Sequence, residues 1–107
     1  MHQVNYCLVL EENEMKIVID WEQVDSEEKF FDVFLPQIEA PDWHGRNLDA
    51  LNDSLVSGGI NGVEPPFCIV NNNTGSSSEE MANFQRTVFS IFADAVIERN
   101  GVEVIIK

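Results

Sequence analysis

Two rhythms of apolar and polar residues run along this chain, and the changes between them mark its elements. In residues 4–10, Val4, Tyr6, Leu8 and Leu10 alternate with Asn5, Cys7 and Val9. A period of two, rich in β-branched and aromatic residues, predicts a strand. Glu11, Glu12, Asn13 and Glu14 break it, and residues 16–20 resume as a second strand through Ile17, Val18 and Ile19. An apolar run without alternation is expected of a strand covered on both faces. The short polar joint predicts that these two strands form an antiparallel hairpin.

From Ser26 the rhythm lengthens. Phe30, Phe34 and Ile38 recur at helical spacing, and Asp25 with Glu28 has the spacing of a capping box. Pro36 lacks an amide hydrogen and crowds the preceding turn, so the helix is expected to end near residues 34–35 or to kink there. Residues 40–46 read as a loop. Asn47 is a good N-cap for a second, short helix with Leu48, Leu51 and Leu55 on one stripe, and Gly58 and Gly59 stop it. After a loop, Pro65 and Pro66 lead into a third strand at residues 67–70. Residues 71–78 are a polar Asn/Ser loop, from which Ser76 and Glu79 offer another capping box. Met81, Phe84, Val88, Ile91, Phe92 and Ala95 then carry a helix to about Arg99. Asn100 and Gly101 close it, and residues 102–106 form a last strand, again apolar on both faces. Strands alternating with helices predict an α/β fold with parallel core strands and right-handed crossovers.

A chain of 107 residues is expected to make one domain with a single core. Nothing at the N-terminus has the form of an export signal, and no apolar run reaches the length that spans a bilayer. Cys7 and Cys68 both lie in apolar stretches, so both are expected to be buried, reduced thiols, which places the chain in the cytoplasm. No Cys/His spacing suggests a metal site. Against 6 Lys and Arg stand 19 Asp and Glu, a net charge of −13. Nucleic acid and anionic membrane are polyanions and are excluded as direct partners; a cationic partner, or solvation alone, fits the balance.

The chemistry concentrates in residues 41–55. Asp49 and Asp53 are four apart on the second helix, about 120° round from the leucine stripe, so they face water or a partner. A solvated helix face accounts for this spacing as readily as a pair of anionic prongs does. Trp43 stands just upstream beside Gly45. Exposed, it would join the two carboxylates in a binding hot spot; buried, it would be a plug over the helix.

The string Trp43-His44-Gly45-Arg46-Asn47-Leu48-Asp49-Ala50-Leu51-Asn52-Asp53-Ser54-Leu55 resembles the signature of the barstar family, the intracellular inhibitors of barnase-type ribonucleases. Residues 17–24, 66–70, 91–95 and 102–106 resemble further segments of that family in the same order, so the likeness covers about residues 16–107. It implies a small layered α/β fold: a three-stranded parallel sheet packed by three to four helices. The N-terminal strand would extend that sheet, leaving residues 1–15 as an extension of a single domain over 1–107. It also implies an immunity or antitoxin protein, not an enzyme, with no cofactor and no metal. Its partner would be a basic ribonuclease or ribonuclease toxin domain, bound one to one by a free monomer. By this resemblance Asp53 occupies the substrate phosphate site, Asp49 pairs with a neighbouring arginine and Trp43 stacks on a catalytic histidine. Gly45 and Asn47 meet the enzyme from the loop, and Asp94 supplies a further charge from the last helix. His44, Leu48 and Asn52 complete the partner-binding set.

The chain departs from the family at identifiable places. Residues 1–15 have no counterpart, Asn52 replaces a usual tryptophan, and His44 takes the second aromatic place. Arg46 puts a cation where an acid or neutral residue is common. The 56–65 loop is longer, and the Asn/Ser stretch stands where the family has a short helix. Two other function classes compete. A hydrolase would use His44 with Asp42 or Asp49, but no nucleophile motif or phosphate loop accompanies them. An acidic binding or immunity module for a different basic partner, such as a toxin of unrelated fold, stays open.

Overall fold

A computed structural model of the chain describes residues 15–107. The strand expected at residues 4–10, its hairpin and Cys7 lie outside the described residues. Three strands, β1 (Met15–Asp20), β2 (Phe67–Asn72) and β3 (Val102–Ile106), pair in that order, and both pairings are parallel. The register aligns Ile17 with Ile69 and Ile69 with Val104. Parallel neighbours need crossovers, which the helices supply. Between β1 and β2 run α1 (Glu27–Gln37) and α2 (Leu48–Asn52), and between β2 and β3 runs α3 (Glu79–Glu98). These are the three α-helices among the described residues. None is long and apolar enough to cross a membrane.

Both long helices begin at serines one or two residues later than the capping-box spacings suggested. Ser26, not Asp25, caps α1, its Oγ accepting the Lys29 amide at 3.1 Å. Ser78, not Ser76, caps α3, its Oγ accepting the Met81 amide at 3.2 Å, because residues 74–76 are wound into a 3-10 turn. Helix α1 also runs past Pro36 to Gln37. A proline in the last turn removes one bond where the turn already tightens, with the Ile38 amide donating to Leu35 O at 3.3 Å. Gln37 is held in the helix by its amide group. Its Oε1 accepts from Val18 N at 2.9 Å and its Nε2 donates to Val18 O at 2.8 Å, covering one peptide on the outer edge of β1.

The helices pack on one face of the sheet. Ile17, Ile19, Phe67, Ile69 and Val102 meet Phe30, Phe31, Phe34, Phe84, Val88 and Phe92 there. Rings stack from Trp21 to Phe30 at 5.6 Å, on to Phe34 at 5.3 Å, and to Phe92 of α3 at 5.8 Å. Only β2 is buried along nearly its whole length. The expectation of two covered faces fails for β1, whose Val18 is exposed, and for β3, whose Ile106 is exposed. Among the described strands both lie at the edges, and β-branched composition alone does not separate an edge from a centre.

A polar side chain of β2 is buried beside this core. Asn71 is fully buried; its Oδ1 accepts from Trp21 Nε1 at 2.9 Å and its Nδ2 donates to Ile105 O at 3.1 Å. On the opposite face Cys68 and Val70 are buried, with Ile105 packed against them. Cys68 is disulfide-bonded, which corrects the reduced thiol expected of it. Apolar neighbours report burial, not oxidation state.

The Trp21–Asn71 pair yields a test. Asn71→Leu leaves the buried indole N–H without an acceptor and should lower unfolding free energy by about 2 kcal/mol, some 8–16 °C in Tm for a domain this size. Adding Trp21→Phe removes the orphaned donor, so the double variant should be closer to the parent than additivity allows. Thermal melts of the three variants check this.

Candidate functional site

Helix α2 is short because both its ends are fixed within three turns. At the start, Asn47 is extended and its Oδ1 accepts the Ala50 amide at 2.8 Å. Gly45 lies tight against that cap: a Cβ there would sit 3.0 Å from both the Ala50 Cβ and Asn47 Nδ2. In the middle Leu51 and Leu55 are buried, Leu48 half-buried, and the buried Ser54 donates to Leu51 O at 3.2 Å. From Asp53 the helix widens into a π-turn over Asp53–Ser57, closed by the Gly58 amide on Asp53 O at 3.2 Å. Gly58 holds φ +79°, where a side chain would be strained. Arg99, arriving from the end of α3, donates to Leu55 O at 3.2 Å and to Glu64 Oε1 at 2.6 Å. A cation on the last carbonyls is the favourable arrangement at a helix C-terminus. Nothing local in residues 48–57 foretells Arg99, which is 44 positions from Leu55.

The acidic pair is carried on this fixed segment. Asp53 keeps helical angles (φ −59°, ψ −44°), so it lies one turn beyond Asp49. Both are exposed, and neither carboxylate makes an ion pair or hydrogen bond among the described residues. Trp43 is 74% exposed, so it does not plug the core. The buried place belongs to its neighbour His44, whose Nδ1 lies 2.6 Å from Gly45 O. A carbonyl only accepts, so Nδ1 carries the proton. His44 Nε2 is buried without a partner among the described residues. Asn52 is half-buried and Asp94 is exposed on α3. Helix α3 packs against the π-turn, but among the described residues no hydrogen bond or ion pair joins Asp94 to residues 43–53. The structure thus brings Trp43, Asn47, Asp49 and Asp53 onto one loop-and-helix unit, turns His44 inward and sets Asp94 on the adjoining helix. Among the described residues no cluster of His, Cys, Asp and Glu is disposed to hold a metal ion.

Sequence reasoning missed the role of Arg46. Its guanidinium turns back onto α1, donating to Glu28 O at 3.0 Å, pairing with the Glu28 carboxylate at 3.1 Å and hydrogen bonding to Asp32. The Asp32 bond, opposed by desolvation and aided by the charge of Glu28, raises the guanidinium pKa above its ordinary value. The two acids are four apart on α1, a spacing legible beforehand only as a like-charge pair.

The family whose sequence model is described as "Barstar (barnase inhibitor)" matches residues 14–107. A protein of Bacillus subtilis (strain 168) named "Putative ribonuclease inhibitor YrdF" is 32% identical over 83 residues, 78% of this chain and 78% of its own length.

The cap supplies a prediction about Gly45. Asn47→Ala should cost about 1 kcal/mol of stability by removing the cap bond. Gly45→Ala should displace the same side chain, so the double variant should lose little more than either single one. Chemical denaturation of the three proteins measures the coupling; full additivity would mean that Gly45 does not act through the cap.

Proposed function

The chain belongs to the barstar family, and we propose that it inhibits a ribonuclease by placing the Asp49–Asp53 face of α2 and the Trp43 loop in the enzyme's active site. The observation that carries this reading is the pair of exposed, unpartnered aspartates one turn apart on a helix anchored at both ends. A ribonuclease cleft is built to hold the phosphates of RNA, so its walls present cationic groups. A rigid carboxylate offers those groups the charge and oxygen geometry of a phosphate without a bond to cleave. Asp53 takes the phosphate position and Asp49 pairs with an arginine beside it. Trp43 stacks on the catalytic histidine, and Gly45 and Asn47 meet the rim, with Asp94 adding charge from α3. Holding α2 by Asn47 and Arg99 limits the ordering entropy lost on binding.

The inhibitor would act one to one as a monomer, in the compartment where the ribonuclease is made, protecting the producing cell as an immunity protein. That location rests on the role and no longer on the cysteines, since Cys68 is disulfide-bonded. A basic partner other than a ribonuclease would show itself by binding without loss of RNA cleavage.

Charge should show in the kinetics. With a net charge of −13 against a basic enzyme, association should approach ~10⁸ M⁻¹s⁻¹ at low salt and fall steeply as salt is added. Binding rates indifferent to ionic strength would defeat the phosphate-mimic reading.

The decisive variant is Asp53→Ala. In the free protein it removes a repulsion with Asp49 and should leave the melt level or slightly raised. In the complex it strands buried cations, at about 3–5 kcal/mol, or two to three and a half decades in Kd. Asp49→Ala and Trp43→Ala should cost less, and Glu27→Ala on α1 almost nothing. Inhibition titrations of barnase-type ribonucleases, beside thermal melts, measure both sides. An Asp53→Ala protein that inhibits as well as its parent would overturn the assignment.

A further inference from the structure

The recognition loop has little holding it to the rest of the molecule. In residues 41–46 the backbone makes one hydrogen bond to itself, His44 N to Pro41 O at 2.9 Å, and His44 Nδ1 bonds to the adjacent Gly45 O. Every hydrogen bond and ion pair that ties residues 41–46 to another element among the described residues comes from Arg46. Between loop and α1 lies a cavity of about 370 Å³, lined by Phe31, Leu35, Pro36, Pro41 and His44 as well as by Arg46. Where packing is incomplete, a polar tether has more to do.

We propose that Arg46 is the positioning residue of the recognition loop: its guanidinium bridges the loop to Glu28 and Asp32 of α1 and so fixes Trp43 and the approach to the Asn47 cap. The inference rests on the inhibitory reading above for its functional consequence, and on the structure alone for the tether. All three contacts converge on one nitrogen, Arg46 Nη2, so the tether is a single point at the tip of the side chain and depends on its acceptors on α1. The same contacts explain how a cation is tolerated in a loop that must approach a basic enzyme. Two carboxylates face the guanidinium, so the local sum is negative and the positive charge points at α1. An exposed ion pair adds little to global stability. Its effect here is on the free energy of opening one loop, which is set locally.

Two variants separate tether from charge. The paired variant Glu28→Ala with Asp32→Ala keeps the arginine and its charge but loses both carboxylate partners; Arg46→Gln loses tether and charge. In the free protein, hydrogen exchange at the His44 amide should be about tenfold faster in both variants, while core amides of β2 and the melt stay near the parent. In complex with a barnase-type ribonuclease, dissociation should be about tenfold faster for both, and association should be no slower for Arg46→Gln, which makes the loop more acidic. If Arg46 acted only through its charge, the Glu28→Ala, Asp32→Ala protein would match the parent in both readouts, and that result would overturn the proposal. Parent-like exchange at His44 in both variants would overturn it as well. The exchange measurement needs no partner. A parent that inhibits no ribonuclease while the variants loosen the loop would therefore refute the inhibitory reading and leave the tether standing.

Discussion

The stack of rings from Trp21 through Phe30 and Phe34 to Phe92 is the contact on which the other elements depend. It joins the end of β1, the length of α1 and the middle of α3 in one apolar body, with Phe84 edge-on to Phe30 at 5.5 Å. Aromatic side chains bury large areas and prefer stacked or edge-on contacts, so such a cluster fixes orientation as well as contributing burial. Once both long helices are set against one face of the sheet, the crossover from β1 to β2 must travel along the edge of that layer. The short helix α2 belongs to this crossover. It touches the core through Leu51 and Leu55 and has no apolar surface on its outer side at Asp49 and Asp53.

That placement explains why an acidic helix can be both rigid and exposed. Two like charges at i and i+4 oppose helix formation, and a five-residue α-helix has little cooperativity of its own. The surrounding structure supplies the order. Asn47 satisfies an amide at the start, the π-turn lets Leu55 and Ser54 both reach the interior, and Arg99 takes the Leu55 carbonyl at the end. Single π-turns in α-helices are uncommon and concentrate at functional sites. Here the turn begins at Asp53 itself. No cation among the described residues pairs with either carboxylate. Two exposed acids with no ion pair among the described residues thus sit on a segment whose order the rest of the fold supplies.

Two arginines beside this segment have partners of their own. Arg46 is committed to Glu28 and Asp32, and Arg99 to Glu64 and a helix end. Neither is left to neutralise the acidic face. The polar network around Asn71 works at a different place. It satisfies the Trp21 indole inside the core and ties β2 to the Ile105 carbonyl of β3, and a fully satisfied polar pair of this kind favours one arrangement of the aromatic body over its alternatives.

By itself the sequence determined the elements, their order and the class of fold, because period-two and period-3.6 patterns are local and survive in any context. The helix stripes of residues 30–38 and 81–95, the Asn47 cap, the Gly58 stop and the parallel α/β arrangement were all legible this way. So was the acidic pair, since Asp49 and Asp53 fall off the leucine stripe by arithmetic. Tertiary structure alone decided the rest. Which serine caps each helix depended on whether the preceding residues wound into a turn. Whether β1 and β3 were covered on both faces depended on their becoming edges. Trp43 exposed and His44 buried is a choice between neighbours in one loop, to which periodicity is blind. The attachments of Arg46 and Arg99 involve partners distant in sequence, and no local pattern records a contact whose other half lies 18 or 44 residues away.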